Sequence, residues 1–150
     1  MKVKLKTFDL RIVKEKEGVY DLDRKITGPD GVVRVLNEVT ELNQRTEEVF
    51  VMLTLDIKNS ITGVFEVSVG SINSSLVTPR EVYKRAILQN ASAIIIAHNH
   101  PSGSLDLSAK DVNVTEALVE AGEILGIEML DHLVIGDGNN FLSMKGEGII

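Results

Sequence analysis

The sequence predicts an α/β (α+β) domain in which a mixed β-sheet is flanked by helices. Three observations carry that prediction. Two β-rich segments flank a short turn, a nearly all-apolar run of strand length lies later in the chain, and helical patterns with recognisable start signals are interleaved with them. The 150 residues suit one domain that buries roughly two-thirds of its unfolded surface. No internal repeat, low-complexity tract or long linker divides the chain.

Taken in order, "KVKLKTFDLRIVK" alternates polar and apolar residues, as a half-exposed strand does. "GPDGVVRVLNEVTEL" carries apolar residues at helical spacing after a Gly-Pro start. Residues 1–45 are therefore expected to form a strand-and-helix extension packed on a main domain of residues 46–150. "EEVFVMLTLD" and "ITGVFEVSVGS" are rich in Val, Phe, Ile and Thr, and the "KNS" between them predicts a hairpin turn. "TPREVYKRAILQN" predicts a helix with Thr78 as N-cap, Pro79 at the first helical position and Glu81 completing a capping box.

"ASAIIIAHNH" is a short apolar run, the pattern of a strand buried on both faces. "SAKDVNVTEALVEAGEILG" predicts a helix whose apolar stripe is Val112, Val114, Ala117, Leu118, Ala121 and Leu125, closed by Gly126 as C-cap. "IEMLDHLVIGDGNNFLSM" predicts two strands around an Asp-Gly turn.

Composition narrows the functional classes. With 16 Lys+Arg against 22 Asp+Glu the net charge is -6, a balance that repels nucleic acid on average. The start "MKVKLKTFDL" lacks the apolar core of a signal peptide, and no run reaches transmembrane length, so a cytoplasmic protein with no membrane partner is expected. The absence of cysteine removes disulfides, thiol nucleophiles and thiolate metal sites. Any metal must be held by His, Asp or Glu.

The chain has three histidines, and two of them, His98 and His100, flank one asparagine at the end of the isoleucine run. Residues two apart on a strand share a face, so these two rings project together while Asn99 points the other way. Pro101 and Gly103 then turn the chain, and Ser108 and Asp111 fall on one face of the next helix's first turn. A His, His, Asp set with an open fourth position is how catalytic zinc sites are built. Read alone, "SAKD" is also an ordinary helix start, with Ser108 as N-cap and Asp111 as a first-turn acid. The two readings are compatible, because a capping serine keeps a donor proton. The adjacent letters "HNH" carry no nuclease meaning, since the motif of that name has widely spaced residues.

The spacing His98-x-His100-x7-Ser108-x-x-Asp111 resembles the H-x-H-x7-S-x-x-D pattern of the JAMM (MPN+, or JAB) metallopeptidases. The flanks "AHNHPSG" and "LDHLVIGDG" are similar to the RadC-like branch, and the likeness runs from about Glu47 to the C-terminus. The resemblance implies a JAB/MPN (cytidine-deaminase-like) architecture. It implies His98, His100 and Asp111 as Zn2+ ligands and Ser108 as the hydroxyl that stabilises the tetrahedral intermediate. It also implies a glutamate on an upstream strand that accepts the proton of the zinc-bound water. Glu48 in "EEVFVML" is the matching residue, since Glu47 would face the opposite side of that strand. The implied function is a zinc-dependent metallopeptidase or isopeptidase acting on a peptide or isopeptide-linked protein. The alternatives are an MPN-type protein-interaction module and a DNA-repair-associated RadC-like factor. Full-length RadC-like proteins carry an N-terminal helix-hairpin-helix segment, and residues 1–45 show no such hairpins and no basic cluster. Asp131 and His132 match the family's "LDH" and are expected to make structural hydrogen bonds. Asp106 and the Arg80, Lys84, Arg85 face are expected to be solvated.

Overall fold

The structure, a computed structural model, describes residues 1–70 and 77–150. Among these residues five strands, β1 (Val49–Leu55), β2 (Ile61–Val69), β3 (Ala93–Asn99), β4 (Glu128–Ile135) and β5 (Phe141–Ser143), form one sheet in the order β2-β1-β3-β4-β5. The β3–β4 pair is parallel and the other three pairs are antiparallel, so the sheet is mixed. Among the described residues, three α-helices cover it: α1 (Pro29–Thr40), α2 (Pro79–Leu88) and α3 (Ala109–Leu125). The C-terminal Ser71 of the expected second hairpin strand lies outside the described residues.

Strand alternation sorts the core into two layers. Val49, Val51, Leu53, Leu55, Ala93, Ile95 and Ala97 pack with Val32, Val33, Val35 and Leu36 of α1 on one face. Phe50, Met52, Ile94 and Ile96 pack with Val82, Tyr83 and Ala86 of α2 and Val114 and Leu118 of α3 on the other. β1 and β3 are thus buried on both faces, as a near-continuous apolar run requires. The next even-numbered residue of β3 after Ile96 is His98, and so the α2/α3 face is the one that receives its ring.

Two expectations are corrected. Residues 2–14 form no strand: Val3, Leu5, Phe8 and Leu10 are each more than 70% exposed, at 73%, 86%, 87% and 79%. Alternation supplies an apolar face, but a strand also needs a neighbour for its backbone N–H and C=O groups. The chain meets the β1–β2 hairpin only later, where Ile26 N donates to Asn59 O and Lys25 bridges Ser60. The buried stripe of α3 is also rotated from the expected one. It comprises Asp111, Val114, Thr115, Leu118 and Gly122, while Ala117 and Leu125 are exposed. A polar and two small or charged positions face inward there because the site and a close Tyr83 contact lie beneath them.

The helix starts fall where the sequence places them, but the capping box expected of Glu81 forms only by half, because its carboxylate turns to Lys84 and Arg85 along the helix. Thr78 Oγ1 accepts from Glu81 N at 3.3 Å with Pro79 at the first helical position. Gly126 caps α3 in the left-handed region with φ 71°. No helix among the described residues is long and apolar enough to cross a membrane.

Candidate metal centre

His98 leaves the end of β3 almost fully buried, with its ring stacked on Phe50 at 6.4 Å between centroids and 7° between planes. His100 follows two residues later, after the strand has ended, and the turn behind it fixes its ring. Gly103, at φ 81°, donates its N–H to His100 O at 2.9 Å, a conformation that favours glycine. The loop then returns Ser104 O to 2.8 Å from His100 Nδ1. A carbonyl can only accept, so His100 carries its proton on Nδ1 and presents the lone pair of Nε2.

Asp111 arrives from α3 through a reciprocal cap. Ser108 Oγ accepts from Asp111 N at 3.1 Å, and Asp111 Oδ2 accepts from Ser108 N at 3.0 Å. This places the carboxylate oxygens 3.4 Å from His98 Nε2 and 3.7 Å from His100 Nε2, while the two Nε2 atoms lie 3.1 Å apart. One ligand atom from each of the three residues falls within 4.8 Å of the others, so they could hold a single metal ion. Burial opposes charge on Asp111, but His98, whenever its ring carries both protons, and the Ser108 cap hold its carboxyl below the usual carboxylate range. The carboxylate therefore stays ionised beside the imidazoles.

Glu48 lies immediately before β1 and is half-buried. Phe50 is opposite His98 in the antiparallel β1–β3 register, and continuing that register two residues brings Glu48 opposite His100. Its position thus belongs to the histidine face. Two other glutamates nearby pair with one arginine: Glu66 meets Arg45 at 2.7 Å and Glu47 meets the same guanidinium at 3.8 Å.

Asn99 points away from the histidines, and its role is one that sequence reasoning missed. Its amide accepts from Val49 N at 2.7 Å and donates to Glu47 O at 2.9 Å and Arg45 O at 3.3 Å. The asparagine between the histidines therefore clamps the backbone on both sides of Glu48. Asn99→Asp keeps an acceptor for Val49 N but cannot donate. It is expected to lower stability by about 1–3 kcal/mol through unpaired carbonyls, with metal binding retained. A urea unfolding midpoint equal to that of the wild type would remove the clamp.

The remaining candidates take structural places. Asp131 accepts from His132 N, Lys145 N and Ser143 Oγ, tying β4 to the segment after β5. His132 is buried, and its Nε2 lies 2.8 Å from His98 Nδ1, so it touches a histidine of the trio from behind. Burial, and next the neighbouring His98, hold its imidazole well below the usual range. All three histidines of the chain thus converge here. Asp106 is exposed, and Lys84 and Arg85 pair with Glu81 on their own helix, leaving Arg80 in solvent.

Residues 26–149 match the family model described as RadC-like JAB domain. Relatives include a "UPF0758 protein" of Alkaliphilus oremlandii, 50% identical over 126 residues, covering 84% of this chain and 53% of that protein. Another, of Methanosarcina mazei, is 44% identical over 132 residues, covering 88% of this chain and 56% of that protein. A third, of Clostridium beijerinckii, is 43% identical and covers 85% of this chain and 55% of its own. The chain spans about half the length of the curated relatives it matches.

Proposed function

The chain belongs to the RadC-like JAB domain family, and from that premise we propose that it is a zinc-dependent metallopeptidase or isopeptidase hydrolysing an amide bond of a peptide or isopeptide-linked protein. The supporting observation is the convergence of the two imidazole Nε2 atoms, 3.1 Å apart, and one carboxylate on a single point. Two imidazole nitrogens at that distance need a cation or a proton between them. Two nitrogens and a carboxylate oxygen are the three protein donors of a catalytic zinc site, in which water takes the fourth position. His98, His100 and Asp111 would hold the ion, whose chemistry when bound is that of a Lewis acid that acidifies water and polarises a carbonyl.

The rest of the work falls to the chain's own groups. Glu48 takes the proton from the attacking water and passes it to the leaving amine. The Ser108 hydroxyl, which spends an acceptor lone pair on Asp111 N, keeps its proton to donate to the developing oxyanion. Phe50, against His98, walls the inner side with apolar surface. The test measures zinc in protein purified without chelator and cleavage of a peptide and isopeptide panel, before and after chelation and zinc return. Cleavage that survives complete zinc removal would overturn the proposal.

Ser108→Ala separates capping from catalysis. Loss of the cap should cost about 1 kcal/mol of stability, and loss of the oxyanion donor about 10²–10³-fold in turnover, with zinc retained. A variant that shows the stability loss alone assigns the serine to the cap.

A further inference from the structure

We propose that Thr115 and His132 form a buried relay that fixes the tautomer of His98, so that its Nε2 lone pair, and not an N–H, faces the ion. This assignment rests on reading His98, His100 and Asp111 as a metal centre, and it gives a positioning role to two residues that touch no ion themselves.

The relay runs inward from α3. Thr115 Oγ1 lies 2.7 Å from Asp111 O, one helical turn back, and 2.5 Å from His132 Nδ1. His132 Nε2 then lies 2.8 Å from His98 Nδ1. Thr115, His132 and His98 are each only 1% exposed, so water does not take over these partners. The two nitrogens of His132 meet a hydroxyl and another imidazole and no carboxylate, an arrangement for a neutral ring with one donor and one acceptor.

Hydrogen-bond bookkeeping along the relay allows two directions, with opposite consequences. The Thr115 hydroxyl has one proton. The Asp111 carbonyl can only accept, and it takes that proton in the usual bond from a helical threonine to the carbonyl four residues earlier. Thr115 Oγ1 must then accept from His132, which places the His132 proton on Nδ1 and leaves Nε2 as an acceptor. His98 donates to it from Nδ1, and the remaining lone pair, on His98 Nε2, points at His100 and Asp111. Were the hydroxyl to donate to His132 instead, every proton would shift by one place. His98 would then carry a proton on Nε2 and could not ligate through that atom. A fixed second hydrogen bond is the general means by which a ligating imidazole is held in one tautomer and orientation. Here that bond comes from a second histidine, locked in turn by a threonine.

The proposal is tested first on the wild-type protein, in which only three histidine rings need assigning. Long-range proton–nitrogen correlations of the imidazoles, recorded on metal-free and zinc-titrated protein, should show His98 and His132 both protonated on Nδ1 in the zinc state. An Nε2-protonated His132 in that state would overturn the relay. The second arm measures zinc affinity by chelator competition. Thr115→Val and His132→Leu should each weaken zinc about 10–100-fold. Thr115→Ser should bind like the wild type, and His132→Gln, whose amide oxygen can accept from His98 Nδ1, should recover much of the loss. Equal affinity across folded variants would overturn the proposal; if the variants do not fold, the wild-type spectra decide it. A wild-type protein that binds no zinc would sink the metal-centre reading and the relay's purpose with it. Zinc binding with the wrong tautomer would sink the relay alone.

Discussion

Asp111→Asn is expected to abolish zinc binding and hydrolysis together while leaving the fold in place. The carboxylate supplies the negative charge of the trio, and it stands 3.4 Å and 3.7 Å from the two imidazole nitrogens at a position only 8% exposed. An amide oxygen is a far poorer ligand for a divalent cation, and the two remaining imidazoles make an incomplete set. The helix start should survive, because the asparagine Oδ1 can still accept from Ser108 N as Asp111 Oδ2 does, and asparagine is tolerated in a first turn. Metal loss and unfolding can therefore be told apart. Elemental analysis gives the zinc content, and thermal unfolding in excess chelator compares the metal-free variant with the metal-free wild type. A variant that retains wild-type zinc would remove Asp111 from the ligand set. A variant that unfolds far below the metal-free wild type would make the capping box its main role.

How much of this site could be read from the sequence depends on whether the information was local. The pair His98 and His100 follows from strand periodicity, and Ser108 with Asp111 from helix-start chemistry, so both sides of the trio were legible. The capping box uses the same two residues as the proposed ligand and oxyanion roles, and these need not compete: the cap takes Asp111 Oδ2 and a serine lone pair, leaving Oδ1 and the hydroxyl proton. His132 was legible as part of a motif but not as a neighbour of His98. Its position depends on the parallel β3–β4 register, in which Ile96 faces His132 after a shift at Ile94/Ile95. No local rule sets that register. Thr115 was hidden for a related reason: a polar residue on a helix reads as solvent-facing until the partner beneath it is known. The same blindness displaced the expected apolar stripe of α3 toward Ala117 and Leu125. At the N-terminus, alternation predicted a strand over residues 2–14, but the sheet edges are β2 and β5, and neither pairs with that segment.

Glu48→Gln is expected to keep zinc and to lose about 10²–10⁴-fold in hydrolysis, the usual cost of removing a general base. The substitution is nearly isosteric. It leaves Glu48 O free to accept from Gly70 N at 2.8 Å and leaves the Asn99 clamp on Arg45, Glu47 and Val49 untouched. What changes is the loss of a group able to take a proton from water and return it to an amine. Glu47 and Glu66 are poor substitutes, since both are drawn to Arg45 and both sit at odd-face positions beside Val49 and Val51. If Glu48 were instead a fourth ligand, Glu48→Gln would lower zinc content in step with activity. If it were neither base nor ligand, cleavage would continue at the wild-type rate. Zinc content and turnover, measured on the same preparation, separate the three cases. Retained metal with turnover lost is the outcome that the position of Glu48 on the histidine face predicts.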